Sequence, residues 1–458
     1  MTAPDAAWAR YRAAARYLDD ELIRPAPPEL PASPTRRAWM EAFLDELGHP
    51  ERGLPTIHVA ATSGKGSVAT MIAEVLRASG RRVGLHTSPY LQVATEKLWV
   101  DGRYATAEEL HSLAEWIRPV ATRWKRPEVP LHALASTACV LEHFRRRRVE
   151  LAVIEAGVGG RDDVTNVVET LVAVVGSVGL DHQRVLGETV EAIAEHKAGI
   201  IRESCRAVVL DGAAVVPARR RAHEVSAALR VVRPDEARTT APAEDELDGD
   251  GATLAFRGRR FRLDALRLGL RGAFQAQNAA LALAALEELD LDGASIDEAA
   301  VRAGLAAARL PGRAELLPRG GPSPCPVLLD GAHNADKLRA LESLLRAASS
   351  RRVHLVVGVL AGRALEEALR SLAARATTVV ATEPRVFGKP AHPAQELARA
   401  LGSGARAIAD PTEAFAAAAA GAAPSDLLVV TGSLYLVGEL RGLWYRPEQV
   451  LAERASWY

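Results

Sequence analysis

At 458 residues the chain exceeds one comfortable core, so about two or three domains are expected. Its 57 Lys plus Arg balance 57 Asp plus Glu, and 48% hydrophobic with 25% charged residues is a globular composition, which leaves no electrostatic case for nucleic acid or an anionic membrane. Cys139, Cys205 and Cys325 are too scattered for a disulfide framework or zinc site; with no apolar stretch beside Asp5, Arg10 and Arg12, and no run of roughly eighteen apolar residues, a cytoplasmic location is expected.

Residues 1–55 read as a helical lead-in, with a Pro-rich connection from Pro25 to Pro34 and a helix over Arg37–Leu47. From there short apolar strands alternate with amphipathic helices. The expected strands are Thr56–Ala61, Arg82–His86, Leu151–Glu155, Val172–Ser177 and Ala207–Leu210; the helices are Ser67–Ala78, Ala107–Ile117, Leu131–Arg146 and Val190–Ile200. This alternation predicts a mainly parallel sheet covered on both faces. Residues 228–270 break the pattern and read as a small antiparallel appendage, with pieces at Ala252–Phe256 and Arg260–Leu263 around the acidic stretch Glu244–Gly251. Helices over Gln275–Leu289 and Ile296–Ala308 follow, then Leu310-Pro-Gly-Arg313 punctuates the chain. A second α/β series has strands at Val327–Asp330, Val353–Val357, Thr377–Ala381 and Leu427–Thr431, which places a domain boundary near 309 and domains at 1–308 and 309–458.

The chemistry begins at Thr62-Ser63-Gly64-Lys65-Gly66-Ser67, between a buried strand and a helix. Glycines there let backbone N–H groups approach phosphate oxygens at a helix N-terminus. Lys65 reaches the β/γ-phosphates, and the Ser67 hydroxyl suits Mg²⁺. Glu155 closes its strand at the carboxyl end, where ligands of open α/β sheets collect; beside Ser67 it is a candidate Mg²⁺ ligand, against the alternative of a turn-capping carboxylate. Asp181-His182 lies past another strand end, with His182 as metal ligand, phosphate contact or simple turn cap. Lys197 sits on a helix, and a helix lysine taken alone is solvated surface. Asp330-Gly-Ala-His333-Asn334 follows the strand Val327–Leu329 and opens the helix through Leu345, where Asp330 could hold an amino acid or merely cap.

Taken in order, these motifs resemble the folylpolyglutamate synthase/dihydrofolate synthase branch of the Mur ligase family over about Ile57–Leu440. The matching residues also include Arg82–Pro89, Gly159-Gly-Arg161, Thr165-Asn166, Leu186-Gly187, Lys197–Ile201, Gln275 with Asn278, Pro311-Gly-Arg313 and Thr431–Leu434. The resemblance implies an α/β protein with a P-loop, mainly parallel-sheet domain and a smaller Rossmann-like C-terminal domain. It implies an ATP-dependent amide ligase: a substrate carboxylate takes the γ-phosphoryl group, and the amine of L-glutamate then displaces phosphate. On this footing Ser67, Ser88, Glu155 and His182 serve Mg²⁺, Lys65 the phosphates, and Lys197 matches a carbamylated lysine. Asn278, Arg313 and Asp330 match nucleotide contacts, with Asp330 shared and His333 on the amino-acid side. The partners implied are a pterin- or folate-like acid and L-glutamate, acted on by a monomer.

The chain also departs from the family pattern. Ala61-Thr62-Ser63 stands for Gly-Thr-Asn, Ser88-Pro89-Tyr90 for Ser-Pro-His, Thr95-Glu-Lys97 for Asn-Glu-Arg, Leu131-His132 for Phe-Glu, Phe274 for His, and Ala361-Gly-Arg363 for Asp-Lys-Asp. These changes leave the acceptor acid open, so a Mur-type paralogue acting on a non-folate carboxylic acid is the alternative. A non-catalytic P-loop nucleotide-binding protein is the reading from another class; Lys65, Ser67, Glu155, His182 and Lys197 together argue against it.

Overall fold

The computed structural model describes residues 3–23, 35–126, 128–240, 253–289, 296–347, 351–362, 366–386, 388–402 and 404–455. The Pro25–Pro34 connection, the acidic Glu244–Gly251 stretch and Arg363 lie outside the described residues. The first sheet contains β1 (Pro55–Ala60), β2 (Val83–His86), β3 (Trp99–Val100), β4 (Arg103–Tyr104), β5 (Leu151–Glu155), β6 (Glu169–Val175), β7 (Arg206–Leu210) and β8 (Ala228–Val232). Its order is β4-β3-β2-β5-β1-β6-β7-β8, parallel from β2 to β8, with β3 and β4 an antiparallel extension at one edge. Strands β1, β2 and β5 are almost wholly buried, as a parallel sheet with helices on its faces requires. Helices over Ala3–Ala15 and Arg36–Asp45 precede it, the first continuing into a π-helical turn at Arg16–Glu21.

Two readings of this region are corrected. Residues 228–232 are not part of the appendage: β8 pairs parallel with β7 and completes the large sheet. Its central Arg230 made the segment look unlike a buried strand, yet that arginine is buried against the Glu287 and Glu236 carboxylates. The helix expected to stop at Ile117 runs over Ala107–Arg123 with Pro119 inside it, its apolar face still burying Val120 and Ala121. The appendage proper is a small antiparallel sheet of β9 (Ala237–Thr239), β10 (Thr253–Arg257) and β11 (Arg262–Arg267).

A third sheet holds β12 (Glu315–Leu317), β13 (Val327–Leu329), β14 (Val353–Val357), β15 (Thr378–Ala381), β16 (Ala405–Ala407) and β17 (Leu427–Thr431), in the order β12-β13-β17-β14-β15-β16. It is parallel except for β12, and β12 and β16, both short, were not anticipated. Its apolar residues form clusters of their own on either face, apart from the core of the large sheet. No described helix is long and apolar enough to cross a membrane.

The two sheet systems are joined at a polar seam. The Glu96 carboxylate accepts N–H bonds from Leu91, Gln92 and Val93 and so shapes a rigid loop. That loop presses on the helix Leu434–Arg441, where a Cβ at Gly438 would collide with the Leu91 carbonyl. Arg441, fully buried, donates to Glu315 at 2.9 Å and to Gln92 Oε1 at 2.5 Å. The C-terminal helix Pro447–Glu453 then returns to bury Val450 and Leu451 in the core of the large sheet. Arg441→Ala leaves Glu315 without its buried cation and is expected to lower stability by about 3 kcal/mol. A thermal midpoint equal to the parent's would refute the seam's ion pair as a stabilising element.

Candidate active site

The phosphate-type turn is built by local backbone chemistry and held by its neighbours. Gly64 adopts φ +83°, a left-handed conformation that glycine accepts at no steric cost, and a Cβ there would strike Asn278 Oδ1. The helix starts at Lys65, two residues before the expected Ser67. Thr62 N–H donates to Ser177 O at 2.7 Å and the Ser177 hydroxyl donates to Ser63 O at 3.1 Å, so the turn is stitched to the loop after β6. Asn278 Nδ2 donates to Gln275 Oε1 at 2.8 Å, and Gln275 Nε2 donates to Ser67 Oγ at 3.3 Å. Thus Asn278, 200-odd positions downstream, lies directly against the turn. The Ser63 hydroxyl is buried with no hydrogen-bond partner among the described residues.

Glu155 ends β5, adjacent to β1, and the parallel pairing brings it beside the turn. Its Oε1 lies 3.8 Å from Lys65 Nζ, which also donates to Ala61 O at 3.0 Å. Its Oε2 accepts the Ser88 N–H at 3.2 Å and stands 3.4 Å from where a Gly66 Cβ would be. Burial pushes the Glu155 carboxyl up, against Lys65, the Ser88 N–H, Arg313 and Lys337. Glu155, Ser67 and Ser88 are hard oxygen donors on abutting elements, which fits Mg²⁺. No three His, Cys, Asp or Glu side chains converge as a metal cluster among the described residues, so the fit rests on this hydroxyl-containing set.

His182 has φ +53° and a side chain 44% exposed, with Nε2 4.0 Å from Asp181 Oδ1. Asp181 itself reaches across the seam, accepting from Asn334 Nδ2 at 3.1 Å. Burial opposes its ionisation, but His182, the Asn334 amide, Lys337 and His333 hold its carboxyl below the usual range.

Lys197 is not a solvated helix lysine. It is 3% exposed, and burial, with the Lys65 charge adding to it, pushes the amine down to about 7 while Asp181 and Asp163 pull the other way. Helix periodicity gives no hint of this, and only the family resemblance singles Lys197 out, because the helix Val190–Ala198 buries it through the closeness of Gly160 and Gly199 to neighbouring backbone and side chains.

From the second sheet come Arg313, Asp330 and His333. Asp330 follows β13 and accepts the N–H groups of Ala314 at 2.8 Å and Ala332 at 2.9 Å. Burial pushes Asp330 up and Arg313 down, and each opposes the other's shift. The helix does not open at Asp330; it begins at Ala335, and Asn334 Oδ1 accepts the Lys337 N–H at 2.9 Å. His333 Nδ1 donates to Gly331 O at 2.7 Å. Lys337, absent from the expected site, donates to His333 Nε2 at 3.0 Å. The four-residue spacing of His333 and Lys337 was the available signal. Burial, then Lys65 and Arg313, push Lys337 down to about 7, against Asp181 and Glu155. A cavity of about 50 Å³ lined by Gly66, Ser88, Glu155, Leu310, Arg313 and Leu434 marks where the two halves meet.

With this geometry in view, comparison with known proteins is decisive. Residues 59–286 match the Mur ligase middle domain and 312–434 the Mur ligase glutamate ligase domain. The Bacillus subtilis dihydrofolate synthase/folylpolyglutamate synthase is 31% identical over 421 residues, covering 88% of this chain and 93% of that one. The chain belongs to the folylpolyglutamate synthase/dihydrofolate synthase branch of the Mur ligases. As a member of that branch it is an ATP-dependent ligase. The Mycobacterium tuberculosis folylpolyglutamate synthase, solved with ADP and AMPPCP, superposes with a TM-score of 0.80 at 29% identity, over 95% of this chain and 98% of that one. A bifunctional folylpolyglutamate synthase/dihydrofolate synthase with Mn, AMPPNP and L-glutamate bound has a TM-score of 0.74 at 28% identity, over 90% and 94% of the two chains.

Because Lys197 holds its proton more weakly folded than unfolded, the unfolded chain binds more protons between about pH 7 and the ordinary lysine range, so stability rises with pH across that window. Lys197→Met removes this titration. Its thermal midpoint is expected to exceed the parent's most below pH 7, with the gap narrowing as pH rises toward 10 (about the unfolded lysine value). A gap independent of pH would show that the amine is not depressed.

Proposed function

We propose that the protein joins L-glutamate to a dihydropteroate- or folate-type carboxylate with consumption of ATP, and that it works as a monomer in the cytoplasm. In this reading the chain divides at 1–308 and 309–458, donor half and amino-acid half. The observation that carries it is the meeting of Lys65, Glu155, Asp181, Arg313 and Asp330 across one seam, which suits two anions that must be brought together. A carboxylate oxygen of the acceptor attacks the γ-phosphorus as the bond to ADP breaks, giving an acyl phosphate. The glutamate amine then adds to the acyl carbon, loses a proton, and phosphate leaves.

The backbone of Thr62–Ser67 and the Lys65 ammonium take the phosphates in this scheme. Asn278, Arg313 and Asp330 hold the nucleotide. Asp330 also faces the amino acid with His333. Mg²⁺, held by Ser67, Ser88, Glu155 and His182, would offset the negative charge of the phosphates. The depressed Lys197 amine supports carbamylation: its neutral form adds to CO₂ and sheds a proton, which turns a buried cation into a carboxylate.

A specific observation keeps the non-folate reading alive. Three of the positions that depart from the family pattern gather in one place. Tyr90 donates to Asp19 Oδ2 at 2.8 Å, Lys97 lies 3.6 Å from Asp19 Oδ1 and donates to Ser136 Oγ at 3.0 Å, and His132 Nδ1 donates to Leu18 O at 2.8 Å. Three altered residues, Tyr90, Lys97 and His132, thus surround one carboxylate beside the Ser88–Pro89 turn. We propose this cluster as the acceptor end of the site.

The deciding measurement is ADP release with ATP and Mg²⁺ across a panel of acids and amino acids. Turnover should require both an acid and glutamate, with dihydropteroate or a folate active. Activity with another acid while these are inert would move the assignment to the non-folate ligase, and turnover indifferent to both substrates would sink the ligase reading. For Lys197, the Ala variant should lose activity by about a hundredfold and regain part of it with added short-chain carboxylates. Full unaided activity would exclude the carbamate.

A further inference from the structure

Lys337 has no counterpart among the residues so far given a role, yet it stands in the first turn of the second domain's helix, where neighbouring Asp336 abuts Gly179 of the loop after β6. Among the described residues its ammonium pairs with no carboxylate and donates instead to His333 Nε2 at 3.0 Å. The direction of that bond is settled by chemistry. The Gly331 carbonyl can only accept, so His333 carries its hydrogen on Nδ1; the ammonium can only donate, so it takes the Nε2 lone pair. His333 is therefore fully engaged, and what it presents to the site is the lysine.

The charged groups facing Lys337 are Lys65 and Arg313, which repel it, and Asp181 and Glu155, which attract it. A lysine held beside two other cations by a neutral imidazole is poorly placed for stability. The arrangement makes sense for an anion that arrives between Lys65 and Lys337, one from each domain. Asn334, which caps the Lys337 N–H, also donates to Asp181 at 3.1 Å, and the loop leading to Asp181 is tied to the phosphate turn through the Thr62 hydroxyl and Gly179 O at 3.1 Å, so the anion's place is beside that turn.

We propose that Lys337 is a catalytic residue whose ammonium, aimed by His333, contacts the γ-phosphoryl group as it passes from ATP to the acceptor carboxylate. This rests on the ligase reading. The bridging P–O bond to ADP breaks as the carboxylate O–P bond forms, and Lys337 keeps its proton throughout. Its ammonium shares the charge on the equatorial oxygens with Lys65. At about 7 the amine is partly neutral in the free protein, and an arriving polyanion draws its proton back.

The test uses the full chain and needs no acceptor at its first stage. Binding of ADP and of AMPPNP, each with Mg²⁺, is measured for the parent and for Lys337→Met. The ratio of Kd(ADP) to Kd(AMPPNP) should fall about tenfold in the variant, since only the γ-phosphoryl contact is removed. An unchanged ratio overturns the proposal. His333→Gln, which keeps an acceptor for the ammonium, should retain most of the parental ratio, whereas His333→Leu should lose it; equal losses would remove His333 from the aiming role. The second stage measures single-turnover ADP formation with the acid identified by the panel and no glutamate. Lys337→Met should slow this about a hundredfold, while the glutamate KM, taken from steady-state turnover with glutamate added, is little changed. A normal ADP rate with a tenfold higher glutamate KM would assign the lysine to the amino-acid carboxylate and overturn the phosphoryl contact. If the parent turns over with no acid while the binding ratio still falls, the ligase reading fails and the phosphoryl contact stands. Lys337→Met should melt no lower than the parent without nucleotide, because repulsion with Lys65 and Arg313 is relieved; Lys337→Gln serves the same measurements should the methionine variant unfold.

Discussion

Lys65, Lys197, Arg313 and Lys337 meet Glu155, Asp181 and Asp330 in a seam where each is buried or half-buried, and the rest of the molecule is arranged around keeping them there. Burying so many charges is costly unless each finds a counter-charge or a fixed dipole. The chain supplies these locally: the Ser88 N–H for Glu155, the Ala314 and Ala332 N–H groups for Asp330, the Asn334 amide for Asp181. The lysines are left least satisfied, and both Lys197 and Lys337 are pushed down to about 7. A surplus of under-compensated cations is what a site for a triphosphate and two carboxylate substrates calls for.

The seam is maintained by contacts that take no part in the chemistry. The Glu96-bound loop, Gly438 and the buried Arg441 with Glu315 and Gln92 fix how the second sheet sits against the first. The return of the C-terminal helix into the first core adds an apolar tie. Because Asp181 and Asn334 bridge the same seam, a small shift in that docking would separate the phosphate turn from Asp330 and Lys337 together. Precision at the site is thus borrowed from packing some distance away.

Much of this was legible in the residues themselves. The order of strand, glycine turn and helix at 56–78, and Glu155 at a strand end, follow from local patterns that the structure repeats within a residue or two. Readings failed where a charge was hidden by tertiary partners. Arg230 disguised a sheet strand because Glu287, the carboxylate that buries with it, lies 57 positions along the chain, and Lys197, singled out only through the family resemblance, looked solvated because nothing near it in sequence announces burial. Lys337 was missed for the same reason: on the helix Ala335–Ala347 it reads as one more surface cation beside Asp336 and Arg339.

The amino-acid sequence alone determined the fold class, the family and the strand, glycine turn and helix at 56–78, since those depend on backbone geometry and periodicity that neighbouring residues specify. Tertiary structure alone decided which charges face one another. It brought Asn278 to Gly64, Asn334 to Asp181, Asp336 to Gly179, and the altered residues Tyr90, Lys97 and His132 to Asp19. Electrostatic energy depends on distance and burial through space, and neither is encoded in the spacing of residues along the chain.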